Sequence, residues 1–242
     1  MRLAAALAAL ALSSSAIAAD APAITPFSTA APGEEIPAGW ERISLPYGPK
    51  SEIKIVRGGD RNVLSVLAKD SFGSIAFKMS SETQDAPILT WQWKVDRVVD
   101  KANMEVKGEE DFAARVYVAF DFPESEISTG DRAKLKIARA VQGFVPAAAI
   151  CYVWDNKHAK GTAMPSPHFD HVHAIVLESG NERAGQWVEE SRDVEADFIA
   201  AFGEGWKGRI PKVNGIIVGN DTDQSGESVN AWFGDVRLGP RK

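Results

Sequence analysis

Apolar residues recur at every second position through most of the chain. In residues 89–99, "LTWQWKVDRVV", Leu89, Trp91, Trp93 and Val95 fall on one side and Thr90, Gln92, Lys94 and Asp96 on the other. That is the period of a half-buried strand. In residues 112–122, "FAARVYVAFDF", Phe112, Ala114, Val116, Val118, Phe120 and Phe122 form an apolar side opposite Arg115, Tyr117 and Asp121. Further strands are expected at 40–46, 51–57, 63–69, 73–80, 146–155, 171–179, 186–192, 212–220 and 228–238, with turn residues between them. Two segments break the alternation. Ser128 and Asp131 make a capping box before "DRAKLKIARAVQ", and Gly143 stands where that helix should end. A shorter helix is expected from an N-cap at Asp193 through Phe202 to Gly203. There is no strand–helix–strand rhythm and no internal repeat. The pattern predicts an all-β fold with two short helices, an antiparallel β-sandwich of jelly-roll type.

The start of the chain is of a different kind. Arg2 precedes an apolar run from Leu3 to Leu12, then three serines and Ala16-Ile17-Ala18-Ala19. This is the layout of a secretory signal peptide, residues 1–19, cleaved after Ala18 or Ala19. The run is too short to span a bilayer. A periplasmic or secreted protein is therefore expected, with no membrane insertion after cleavage. Residues 20–37, rich in Ala and Pro, read as an extended leader, and 38–242 as a single β-sandwich domain.

Charge and cysteine content narrow the function. The net charge is −6 over 242 residues, which gives no electrostatic footprint for nucleic acid or an anionic membrane surface. The single cysteine, Cys151, lies in an apolar run. It reads as a buried, inert thiol, and stability must come from core burial. The basic residues of residues 129–142 are spread around the expected helix and read as a solvated face rather than an anion site.

The most polar stretch is "DTDQSGE", Asp221 to Glu227, between two expected strands. Asp221, Asp223 and Ser225 with Gly226 form the first half of a calcium loop: oxygen donors at alternate positions and a glycine for the sharp turn. The bidentate glutamate of such a loop is missing, because Trp232 occupies its place. A partial oxygen cage of Asp221, Asp223, Ser225 and Glu227 could still hold Ca2+, with remote donors such as the Glu109–Asp111 cluster completing it. The same residues also suit a ligand-contacting loop or a plain polar reversal, the last being what Asp, Ser and Gly do in most turns.

Other candidate chemistry is dispersed. Glu109, Glu110 and Asp111 precede the strand that carries Arg115, and Glu189 and Glu190 lie on another. Two such carboxylates are what a glycoside hydrolase or lyase requires. His171 and His173 have the spacing of metal ligands on one strand face, with no second motif to complete the set. Seven tryptophans are many for this length. Trp91 and Trp93 read as core. Arg115 and Tyr117 share a face, as do Tyr152 and Trp154. Aromatic rings beside forked polar groups suit sugars, whose faces are apolar and whose rims carry hydroxyls. With Asp111, these four form the candidate ligand site.

Several of these segments together resemble a known family. Trp91-x-Trp93, the acidic pair before "RVYVAF", "YVW" at 152–154, "ESG" at 178–180, Trp187, "DVEADF", "AFGE" at 201–204 and "DTDQSGESVNAWFGD" at 221–235 occur in the order found there. The chain resembles the bacterial secreted family called domain of unknown function 3047, over roughly residues 38–239. The resemblance implies an exported protein and a sandwich fold, and brings no substrate and no catalytic residues. In that pattern Asp-Asp is expected where this chain has Glu110-Asp111. The function expected from the sequence is an exported β-sandwich binding a carbohydrate or similar polar ligand on a concave aromatic and charged face. A glycan-active enzyme using strand-end carboxylates and a structural cell-envelope protein are the alternatives.

Overall fold

The computed structural model describes residues 23–43, 45, 48–203 and 208–241. The expected signal peptide lies outside them. The alternating segments form β1 (Trp40–Ile43), β2 (Glu52–Arg57), β3 (Asn62–Lys69), β4 (Phe72–Ser81), β5 (Ile88–Val95), β6 (Ala114–Phe120), β7 (Ala148–Asp155), β8 (Ala163–Pro165), β9 (Val172–Ser179), β10 (Val188–Asp193), β11 (Val213–Asp221), β12 (Ser228–Phe233) and β13 (Arg237–Gly239). They build a seven-stranded sheet, in the order β1-β4-β11-β6-β7-β9-β8, and a six-stranded one, β10-β5-β12-β3-β2 with β13 beside β5. All pairings among the named strands are antiparallel except β7 with β9, which is parallel. The expected sandwich is therefore present, with one parallel pair inside it.

Between the sheets lies the main core. Leu89, Trp91, Trp93 and Val95 of β5 face Ala114, Val116, Val118 and Phe120 of β6 and Ala148, Ile150, Tyr152 and Trp154 of β7. Trp91 stacks on Tyr152 at 5.3 Å between ring centroids, and Trp93 lies 5.8 Å from Trp154. Full burial of each such side chain stabilises the fold by roughly 1.5–3 kcal/mol. The segment expected as a leader is packed as well. Phe27 is fully buried, Gly33 bridges Ile55, and the Trp40 indole N–H donates to Thr25.

Two α-helices occur among the described residues, where the capping signals put them. In α1 (Thr129–Gln142) the Ser128 hydroxyl accepts the Asp131 N–H at 3.0 Å, and Gly143 follows with a φ of 80°. Most of α1 is exposed, with Asp131 and Leu135 its buried residues. In α2 (Val194–Phe202) Asp193 caps Ala196, and Val194 and Phe198 are buried. None of the described helices is long and apolar enough to cross a membrane.

Candidate functional site

The outer face of the seven-stranded sheet is also largely buried, and it carries a groove. On β6, Arg115 and Tyr117 point away from the main core. Register sets Val153 and Cys151 of β7 beside them on one flank and Gly219 and Ile217 of β11 on the other. Phe144 and Pro146, which follow α1, form one wall; Ser166 to Phe169 and the Asp221–Gln224 turn form others. The larger cavity measures about 370 Å³ and runs into one of about 120 Å³ that reaches Glu110, Arg115 and Cys151. Two glycines keep the floor of β11 low. A Cβ at Gly215 would sit 2.7 Å from the Phe144 ring, and one at Gly219 only 2.2 Å from the Gly73 carbonyl oxygen.

Buried charge is concentrated at the groove's polar end. The Arg115 guanidinium is 4% exposed and pairs with Asp221 through Nη1 at 2.8 Å. It lies over the Phe72 and Tyr117 rings, 4.8 and 5.6 Å from their centroids. Its Nε and Nη2 are buried without a hydrogen-bond partner. Those two N–H groups form one edge of the planar fork, the edge that engages a pair of acceptors. Asp111 clamps the acidic turn to the sheet. Its Oδ2 accepts the N–H groups of Ser225 at 2.7 Å and Gln224 at 3.3 Å, while the Asp221 N–H donates to the Phe112 carbonyl. One oxygen each of Asp111, Asp221 and Asp223 lie within 4.8 Å of one another. Glu110 accepts the Gly108 N–H and meets His168 Nε2 at 3.0 Å, and its Oε1 has no partner.

This crowding alters the acids. Burial holds the Asp221 carboxyl well above the ordinary aspartate range; Arg115 opposes the rise, while Asp223 and Asp111 add to it. Burial likewise raises Asp111, against its bonds from Ser225. Desolvation works against the charge on Arg115, yet Tyr117, Asp221 and Cys151 hold its pKa above the usual arginine value. Burial pushes the Cys151 thiol up to about 12, so it is inert, as its apolar context suggested.

The expected site residues divide between the two sides of the sheet. Asp111, Arg115, Tyr117, Asp221 and Asp223 come together in the groove region. Tyr152 and Trp154 do not: they are fully buried in the main core. The register explains this. Tyr152 pairs with Val116 and Trp154 with Ala114, so both share the inward parity of β6, one residue out of phase with Arg115. Tyr152 donates to Asp197 at 2.7 Å and the Trp154 indole to Gly180 at 3.1 Å, bonds that satisfy their polar ends inside the core.

The acidic turn is also divided. Gly226 has a φ of 70°, as its place in the reversal required. Glu227 turns away from the aspartates and accepts from Arg97 and the Lys101 N–H. The Ser225 hydroxyl bonds within the turn, to Thr222 and Glu227. Asp111 therefore stands in the carboxylate cluster where Ser225 and Glu227 were expected. Glu189 and Glu190 lie on β10 in the other sheet, bonded to Gln92 and Trp93, and form no pair with Glu109–Asp111. His171 packs on Phe122 and His173 on Phe202. The groove residues missed from sequence are Phe72, Phe144, Phe169 and Gln224; the repeated glycine on one face of "GIIVG" was the available signal for an occupied strand face.

Fold and site together define a two-sheet β-sandwich with an aromatic, acid-rich groove on the outer face of one sheet. The chain belongs to the family described as protein of unknown function DUF3047, whose pattern matches residues 38–237. No curated protein matches it. Among solved structures, the xyloglucanase domain of NopAA, a type three effector from Sinorhizobium fredii in complex with cellobiose, is 11% identical. The match covers 87% of this chain and 96% of that one, with a TM-score of 0.47. A family 12 xyloglucanase from Bacillus licheniformis, 9% identical, matches over 90% and 98% with a TM-score of 0.47. A family 29 carbohydrate-binding module from Piromyces equi, 13% identical, matches over 90% of each chain with a TM-score of 0.37.

Proposed function

We propose that this is an exported β-sandwich protein that binds a carbohydrate or similar polyhydroxylated ligand in the groove of its seven-stranded sheet. The observation that carries the reading is the coincidence, in one groove, of aromatic rings with buried forked polar groups that lack partners. Phe72, Tyr117 and Phe144 offer apolar surfaces for sugar faces. The free edge of Arg115 and the free oxygen of Glu110 offer donors and acceptors for hydroxyls. The larger cavity, about 370 Å³, falls within the roughly 300–1,000 Å³ of ligand sites. Export rests on the tripartite start of the chain, and intact-mass measurement of the exported protein is expected to show cleavage after Ala18 or Ala19.

A thermal-shift screen against neutral and acidic oligosaccharides tests the binding. A ligand that binds only the folded state raises its stability by about 2.7 kcal/mol when present at a hundred times its Kd. A shift with one glycan class supports the reading. No shift with any class supports the structural alternative. Hydrolysis of the bound glycan is the second reading, favoured by Glu110, whose Oε1 is buried and unpartnered at the groove. Product analysis after prolonged incubation separates it from binding alone.

A further inference from the structure

We propose that Asp111, Asp221 and Asp223 form a divalent-cation site that fastens the Asp221–Glu227 turn to the segment before β6, with Ca2+ as the ion its oxygens suit.

One oxygen from each of the three lies within 4.8 Å of the others. Among the described residues, the cationic side chain paired with them is Arg115, which bonds Asp221 through Nη1. With all three ionised, three carboxylates against one guanidinium leave two negative charges, which one divalent ion neutralises. Glu110, the neighbouring acid, is engaged by His168.

Asp111 is 2% exposed, and its Oδ1 is buried with no hydrogen-bond partner. Its other oxygen already serves two backbone N–H groups. A buried carboxylate oxygen left unpaired is costly, and a cation is the partner that removes the cost for a charged group. On Asp221, Oδ2 is taken by Arg115, while Oδ1 receives a long 3.5 Å contact from the Asp223 N–H. Asp223 is exposed and stands at the mouth of the groove, so the ion has a path from solvent. Hard oxygen donors and an irregular loop geometry favour Ca2+ over Mg2+, which demands a regular octahedron. The remaining ligands would be backbone oxygens, water, or hydroxyls of a groove ligand.

The test uses the metal alone. Purified protein freed of metal by a chelator is titrated calorimetrically with calcium chloride, then with magnesium chloride. Saturable binding of one Ca2+ per chain is expected at sub-millimolar concentration, with Mg2+ weaker. Asp223→Asn should weaken it by at least the ~10-fold that even outer-shell changes cost at metal sites. Because Asp223 is exposed, that variant keeps its fold; Asp111→Asn should show the same loss. Glu41→Gln, an exposed acid on another edge, should bind as wild type does. No saturable heat with either metal at millimolar concentration would overturn the proposal, as would unchanged Ca2+ affinity in Asp223→Asn. The oligosaccharide screen is run in chelator and in Ca2+, so a glycan that binds while Ca2+ does not leaves the groove reading standing and removes the cation.

Discussion

Replacing Arg115 by Met removes the charge that faces Asp221 and leaves that carboxyl buried. Both groups are nearly inaccessible, at 4% and 6% exposure, and 2.8 Å apart. At an effective dielectric constant of about 20, unit charges some 4 Å apart attract by about 4 kcal/mol. Removing one partner of such a pair typically costs about 3–5 kcal/mol, a large share of the roughly 5–15 kcal/mol that holds a domain folded. The double variant Arg115→Met with Asp221→Leu leaves no orphaned charge and should recover much of the loss. Urea unfolding of the four proteins gives the coupling, expected near the upper end of the roughly 0.5–3 kcal/mol range for contacting residues. Proton linkage gives a second signature. Asp221 titrates in the folded state above the ordinary 3.8, so between 3.8 and its raised value the folded protein holds the extra proton. Stability then falls as pH rises through that window and recovers on acidification. Arg115 opposes that rise, so its loss carries the window upward, and Arg115→Met should go on losing stability with rising pH beyond the point where wild type levels off. Additive single effects, or a variant indifferent to pH, would refute the buried-pair account.

Trp154→Ala should cost about 3–5 kcal/mol in urea unfolding, as expected of a core tryptophan, while leaving the affinity of any groove ligand unchanged; weakened binding in a folded variant would return Trp154 to the site. Glu190 is raised to about 7, by burial first and by Glu178 second. Its folded form therefore keeps a proton that the unfolded chain releases above 4.5, and stability should decline as pH rises from 4.5 through 7. Glu190→Gln should flatten that slope in urea midpoints measured across the range; an undiminished slope would assign it to other groups.

Strand positions were legible because one face of each was apolar and the other was not. Arg115 and Tyr117 were found for that reason, standing against Val116, Val118 and Phe120 on the same strand. Alternation is absent from β7, where all eight residues are buried. With both faces covered there is no alternation to show which parity meets the main core, and Tyr152 and Trp154 were placed on the wrong one. β8 and β13 have three residues each, too few to display a period. The turn at Asp221–Glu227 was legible as a reversal from Gly226. Its clamp by Asp111 spans 114 positions to Ser225, and the groove wall at Phe144 depends on packing after α1. Contacts of that range are made by sheet register, which local patterns do not encode.

The central claim is that the outer face of the seven-stranded sheet binds a glycan. Calorimetric titration of the screen's best oligosaccharide against wild type, Tyr117→Ala and Trp187→Ala tests it directly. Tyr117 lines the groove, whereas Trp187 lies beyond it, under Arg61 and Lys94. The account predicts saturable binding to wild type and a loss of about 1–3 kcal/mol, the scale of aromatic stacking, in Tyr117→Ala. It predicts wild-type affinity in Trp187→Ala. Equal affinity for wild type and a folded Tyr117→Ala, with the loss appearing in Trp187→Ala instead, would contradict it.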